Sequence, residues 1–418
     1  VLFRSQSTEQ INKRLQAVEN LLENSDSANT LASEIASCGD LERLASKLST
    51  RKIQPREFIQ LAASLKIVAA IKNEISNASN IYLQEIGSEI STCQSSILTI
   101  EKTLLEQAPA NTLKGGFIKE GFSTTLDELR NISSGGKDFL TQIQNKEAEN
   151  TGISSLKIGY NNVYGYYLEV THAHKNKVPA EWIRKQTLTN AERYITPELK
   201  VYEEKILGAE EKIISLELEL YQDLIDQIIT AMAEIQKNGQ LIATLDCLLC
   251  FAQIAKENKY CKPTITEDSI LNIQDARHPV IEKTLALDQD YIPNDIFLDP
   301  STQQIIILTG PNMSGKSAVL RQTALITLMA HMGSFVPAKT ASIPITDKIF
   351  TRVGATDNLN AGESTFMVEM LETASILNNI SKRSLILLDE IGRGTSTYDG
   401  ISIAWSIVEF LHQRSEEH

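Results

Sequence analysis

Cysteine is scarce in this chain of 418 residues, and the five present (Cys38, Cys93, Cys247, Cys250, Cys261) fall at no even, repeating spacing. That excludes a disulfide framework and fits a reducing compartment, so a cytoplasmic location is expected. The pair C-L-L-C at 247–250 lies in an apolar helical stretch and is read as core packing rather than a metal or redox site. Long apolar runs are lacking too: IIIL at 305–308 and LILL at 385–388 fall far short of the roughly 20 residues of a spanning helix, so no membrane association is expected. The first residues show no secretory-leader pattern. Positive charge is in deficit, 40 Lys and Arg against 53 Asp and Glu for a net charge of -13, which excludes a surface that binds nucleic acid all over. Any DNA contact has to come from a local patch.

Proline is the third scarcity, with 11 in the whole chain. Where it is missing the chain reads as helix, because a helix interior seldom tolerates it. One such interval runs from Pro55 to Pro109, rich in Ile, Leu, Ala, Glu and Lys; a second runs from Pro197 to Pro263, with Ile206, Ile213 and Leu220 a heptad apart and Leu216 and Leu224 on the same side. Unbroken, the second would extend about 90 Å at 1.5 Å per residue, with Asn238-Gly239 expected to break it. Between the intervals, LKIGYNNVYGYYLEVTHAHKNK (156–177) is aromatic and β-branched with turn residues inside, which predicts a small sheet. After Pro263 short apolar runs alternate with helical stretches, the pattern of a parallel α/β sheet. The fold class expected is α plus α/β and multidomain: helices over 1–148, an inserted β-rich module over 149–198, returning helices over 199–262 and an α/β domain over 263–413.

The chemistry gathers in that last region. QQIIILTGPNMSGKSAVLRQTALITLMA (303–330) sets an apolar strand, a loop and a helix in order, and its loop fits the phosphate-binding template G-x-x-x-x-G-K-[ST] at Gly310, Pro311, Asn312, Met313, Ser314, Gly315, Lys316 and Ser317. Backbone N–H groups at a helix N-terminus would face phosphate oxygens, Lys316 would reach the β- and γ-phosphates of ATP, and the Ser317 hydroxyl would ligate Mg²⁺. SLILLDE (384–390) is an apolar strand that delivers Asp389 and Glu390 at its C-terminal end, the edge where parallel sheets bind ligands. Asp389 would hold the same Mg²⁺, and Glu390 would orient and deprotonate an attacking water.

On the motifs TGPNMSGKSAVLRQTALI, FTRVGATDNLNAGESTFMVEMLETA, LLDEIGRGTSTYDGISIAW, GYNNVYGYYLEVT and RKQTLTNAERYITPELKVYE, the chain resembles the MutS family of DNA mismatch repair proteins, in its bacterial form, from about residue 36 to His412. The resemblance implies long lever helices, an inserted β-rich clamp that closes over DNA, and an ABC-type P-loop ATPase domain. It implies a homodimer in which Ser364 of ESTFMVEM faces the partner subunit's γ-phosphate, adenine packing on Tyr291 and Ile292, double-stranded DNA as ligand, a MutL-type repair partner and association with the nucleoid. Residues 172–200 carry a local excess of three basic side chains, and Lys175, Lys177, Arg184 and Lys185 are the expected contacts to the DNA backbone.

The family pattern also has parts not found here: a mismatch-reading domain with a Phe-x-Glu wedge, a connector domain, a Thr-His switch and a C-terminal helix-turn-helix. Ser314 and Ala318 stand where many relatives carry Gly and Thr. VLFRS and RSEEH can be encoded by one oligonucleotide and its reverse complement, so residues 1–5 and 414–418 are expected to be artefacts flanking a piece of a longer gene. Nucleotide binding with impaired ATP turnover is therefore the expectation for the chain as it stands. The alternatives are another ABC-type DNA-associated ATPase, of recombination or chromosome structure, which should show an LSGG-like signature, and a non-enzymatic scaffold.

Overall fold

In a computed structural model, the structure describes residues 4–416 except 135, 162, 164, 287, 288, 312, 313 and 354–364. It divides into two compact units, one built from residues 1–37, 67–90 and 238–418, the other from 38–66 and 91–237. In chain order the helices are α1 (Thr8–Glu23), α2 (Ser25–Ser37), α3 (Leu41–Ser49), α4 (Pro55–Ser76), α5 (Ile81–Glu89), α6 (Gln94–Thr103), α7 (Thr124–Ser134), α8 (Gly136–Thr151), α9 (Pro197–Ile229), α10 (Met232–Asn258), α11 (Ile281–Thr284), α12 (Lys316–Met332), α13 (Thr365–Asn379) and α14 (Thr397–Glu416). The strands are β1 (Lys157–Asn161), β2 (Gly165–Thr171), β3 (Ile183–Thr187), β4 (Ala191–Ile195), β5 (Thr264–Thr266), β6 (Leu271–Ala276), β7 (Asn294–Leu298), β8 (Thr340–Pro344), β9 (Lys348–Arg352) and β10 (Ser384–Leu388).

In the second unit, the predicted sheet forms as an antiparallel array in the order β1-β2-β4-β3. It covers a core of Ile143, Ile153, Leu156, Leu168, Val170, Trp182, Tyr194 and Leu199. The stretch 172–177, expected as the tail of the sheet, is a 3-10 turn instead, and strands β3 and β4 follow it. The last strand passes directly into α9, because Thr196 caps the helix by accepting from the Leu199 N–H at 3.1 Å and Pro197 opens its first turn. At 33 residues α9 is about 50 Å long at 1.5 Å per residue. Tyr221 anchors its far half: its ring meets Phe58 and Phe117 edge-on at 5.7 and 5.4 Å, and its hydroxyl donates to Ile53 O at 2.7 Å. Glu217 is buried beside it, accepting from the Gly116 N–H at 2.5 Å and from Arg130 at 2.6 Å.

The helix break differs from the expectation. It falls at 230–231, with the Ala231 N–H donating to Ile228 O, while Asn238 and Gly239 lie inside α10 and Asn238 is fully buried. A glycine in a helix costs only about 1 kcal/mol relative to alanine, and the packing of Ile235, Ile242 and Leu245 outweighs it. Among the described helices α10 is the one long and apolar enough to cross a bilayer by length and composition; 44% of its most apolar window is buried within the fold. Leu248 and Leu249 fill core positions, whereas Cys250 is exposed, a correction that follows from the helical period carrying it past the buried face.

In the first unit the sheet after Pro263 is mixed rather than parallel, with order β5-β8-β6-β7; only β5 and β8 run parallel in it. A separate parallel pair, β9 and β10, runs in register from Ser384↔Lys348 to Leu388↔Arg352. The expected strand at 303–308 does not form. Gln303 makes an isolated bridge to Asp299, and Ile307 is 70% exposed. An extended apolar segment becomes a strand when a neighbour supplies ladder hydrogen bonds, and no described strand forms a ladder with 305–309.

Candidate nucleotide site

Two turns converge in the first unit. Gly315 has φ +90° and stands immediately before α12, so the loop enters the helix through a conformation that glycine adopts without strain. Lys316, first residue of α12, folds back on the loop and donates to the carbonyls of Gly310 at 2.6 Å and Pro311 at 2.8 Å. One residue on, the Ser317 hydroxyl donates to the Asp389 carboxylate. That hydrogen bond joins positions 72 residues apart and brings together the phosphate-loop helix and the end of β10. Asp389 is held in turn by its own N–H, which donates to Arg352 O at 2.8 Å at the end of β9. A hydroxyl and a carboxylate side by side suit Mg²⁺, which takes one or two protein oxygens and fills its remaining positions with water and phosphate.

Glu390 turns the chain sharply. Its φ is +52°, a left-handed conformation that costs a non-glycine residue about 1–2 kcal/mol, and its carboxylate accepts from Arg393. That ion pair is exposed, so it contributes about 0–1 kcal/mol and opens readily. Gly392, two residues on, has φ +83°, and a Cβ there would stand 2.6 Å from Gly400 Cα. Glycine at 392 is therefore required both by conformation and by the start of α14 lying against it. Ser396 begins α14 by accepting from the Asp399 N–H at 3.3 Å while donating to its carboxylate at 2.7 Å.

Of the other expected site residues, Tyr291 is half-buried and its hydroxyl donates to Gln322 on α12 at 2.7 Å. Burial pushes its phenol above the ordinary range. Ile292 is 82% exposed. Ser314 lies in the loop, exposed. Asn312, Met313 and Ser364 lie outside the described residues. In the β-sheet unit, Lys175 and Arg184 both meet the buried carboxylate of Glu192, at 2.8 and 3.4 Å, and Tyr194 donates to it as well. The Lys175 ammonium, then the Tyr194 hydroxyl, hold Glu192 down to about 2, while burial and then that hydrogen bond push Tyr194 up to about 12. Lys177 donates to Gly152 O at 3.2 Å, and Lys185 is exposed.

Three groups at the site are given no role by the sequence: Arg393 on Glu390, Glu369 on the Gly392 N–H, and Glu372, whose carboxylate meets Arg352 at 2.8 Å. The two glutamates belong to α13, one helical turn apart on a motif whose residues are visible in the sequence but whose backbone partner is not.

The family comparisons fall on the regions that carry these features. A profile described as MutS domain V matches residues 306–417, from the phosphate loop to α14, and one described as MutS family domain IV matches residues 121–212, from α7 through the sheet into α9. This chain carries MutS family domains IV and V. It is 55% identical over 413 residues to the DNA mismatch repair protein MutS of Bacteroides thetaiotaomicron, an alignment that covers 99% of this chain and 48% of that one. It is 57% identical over 405 residues to the MutS of Christiangramia forsetii and 57% over 402 residues to that of Cytophaga hutchinsonii, covering 97% and 96% of this chain but 46% and 47% of theirs. The chain thus spans about half the length of the curated MutS relatives it matches.

Proposed function

We propose that this chain is the lever, clamp and ATPase portion of a DNA mismatch repair protein, binding and hydrolysing ATP and coupling that cycle to clamping on double-stranded DNA. In this reading residues 1–148 and 199–262 are lever and core helices, 149–198 the clamp and 263–413 the ATPase domain. Parent molecules pair through the ATPase domain as a homodimer, meet a MutL-type partner and work on the bacterial nucleoid. The observation that carries the reading is the Ser317–Asp389 hydrogen bond, which joins the helix after the glycine-rich loop to a strand-end carboxylate and so sets side by side the two oxygens that a nucleotide's Mg²⁺ would take.

The chain's own groups divide the work. The loop amides from Gly310 to Ser317 receive phosphate oxygens at the α12 N-terminus, and Lys316 exchanges its two loop carbonyls for the β- and γ-phosphates. Mg²⁺, held by Ser317 and Asp389, would neutralise charge on those phosphates when bound. Glu390, released from Arg393, takes the proton of the attacking water. Tyr291 and Ile292 pack on adenine, and Ser364 reaches the γ-phosphate of a second copy. An alternative, a non-enzymatic scaffold, treats the same loop as decoration.

Titration calorimetry separates the two. ATP with Mg²⁺ should bind the chain and lose most of its affinity with Lys316→Ala, whereas a scaffold shows no binding to either. Glu390→Gln should keep ATP affinity and slow hydrolysis by at least about 10²-fold, because an amide fills the same space without accepting the proton. Turnover unchanged by that substitution removes Glu390 from the role of base.

A further inference from the structure

The turn that carries Glu390 is held from outside by α13, and the grip is specific. Glu369 is only 4% exposed, and its carboxylate accepts from the Gly392 N–H at 2.5 Å. A buried carboxylate is retained where a strong, oriented hydrogen bond compensates its desolvation, and a carboxylate oxygen accepting from a backbone amide is such a bond. The amide it holds belongs to a turn with two left-handed residues: Glu390 at +52° on one side of Ile391 and Gly392 itself at +83° on the other. The same helix touches the turn one helical turn earlier, where a Cβ on Gly394 would stand 2.9 Å from Phe366, and braces the neighbouring strand one helical turn later, where Glu372 pairs with Arg352. Arg352 O is the acceptor for the Asp389 N–H. Phe366, Glu369 and Glu372 recur at helical spacing; the first two meet the turn itself and the third meets the strand that holds Asp389.

We propose that Glu369 is the positioning residue of the hydrolytic site, fixing the Gly392 amide so that Glu390 is presented in its left-handed conformation toward the attacking water. The inference rests on the reading of Glu390 as base. Glu369 touches neither nucleotide nor water; it acts through the backbone of the turn. Its removal lets the strained turn relax, and the base moves while the phosphate loop, on a different element, stays in place. A displacement of about 1 Å is enough to cost on the order of 10²-fold in rate.

The test compares Glu369→Ala, Glu369→Gln, Glu390→Gln and the double variant Glu369→Ala/Glu390→Gln in this chain. Single-turnover hydrolysis of radiolabelled ATP is followed with protein in excess, and amide hydrogen exchange over 389–395 is measured in parallel. Glu369→Ala should slow the chemical step by about 10- to 100-fold with the Kd for ATP nearly unchanged, and exchange at Gly392 should quicken. Glu369→Gln, which keeps a carbonyl acceptor, should recover most of the rate and the protection. The double variant should be no slower than Glu390→Gln alone, since a residue acting only through the base has nothing left to position. A rate for Glu369→Ala close to the parent's overturns the proposal. So does a loss shared equally by ATP affinity and not recovered by Gln, or a double variant slower by the full product of the singles. Near-normal hydrolysis by Glu390→Gln overturns instead the assignment of the base, and Gly392 exchange still reports whether Glu369 holds the turn.

Discussion

Glu192 shows how one buried carboxylate organises basic residues that the family resemblance and a local charge excess assign to DNA. Two of the four basic side chains expected on DNA, Lys175 and Arg184, are drawn onto it, and Tyr194 completes its shell. Its folded value, about 2, lies below the ordinary carboxylate value of 4.5, so the folded chain binds fewer protons than the unfolded one between those values. Stability from this cluster is present above about pH 4.5 and is lost as the pH falls toward 2. Denaturant midpoints measured across that window should fall for the parent and be flatter for Glu192→Gln. The G-x-x-x-x-G-K-[ST] pattern at 310–317 is legible in the sequence because it is written in consecutive residues. Glu369 is not, because a glutamate on an apolar helix does not announce which distant amide it will meet; only the fold brings Gly392 to it.

At the level of elements, the long helices are legible from missing proline, but their ends are not. The break at 230–231 carries no glycine or proline, while the Asn238-Gly239 pair that looks like a stop is absorbed into α10 by the burial around it. The apolar run at 305–308 reads as a strand from hydropathy, a property that reports the tendency toward burial and not the presence of a partner edge. The α9 helix depends on Glu217, which the heptad pattern does not mark. Glu217→Ala should leave Arg130 and the Gly116 N–H without their buried acceptor and destabilise the fold by about 3–5 kcal/mol. Urea unfolding followed by circular dichroism checks this; a midpoint within error of the parent's removes Glu217 as the tie between α9 and α7.

For the molecule as a whole, a net charge of -13 means that the proposed DNA binding would have to overcome a repulsive field through few cations. Lys177→Ala and Lys185→Ala, which leave the Glu192 cluster intact, should weaken binding to matched and mismatched duplex alike. Removing one cation from a phosphate should reduce the slope of log K against log salt by about 0.9, and an unchanged slope takes these residues off the DNA. The two units also differ in where they keep their tryptophans, of which the sequence has 2. Trp182 is closed inside the sheet core at 6% exposure, its ring tilted on Tyr194, while Trp405 stands 67% exposed on α14, where its indole N–H donates to Glu409. Each unit therefore carries its own optical reporter in a different solvent environment. Acrylamide should quench the red-emitting Trp405 and spare the blue-emitting Trp182, so that Trp405→Phe leaves a signal from the sheet unit alone, and the helix that follows the turn at Glu390 can be watched without attaching a dye.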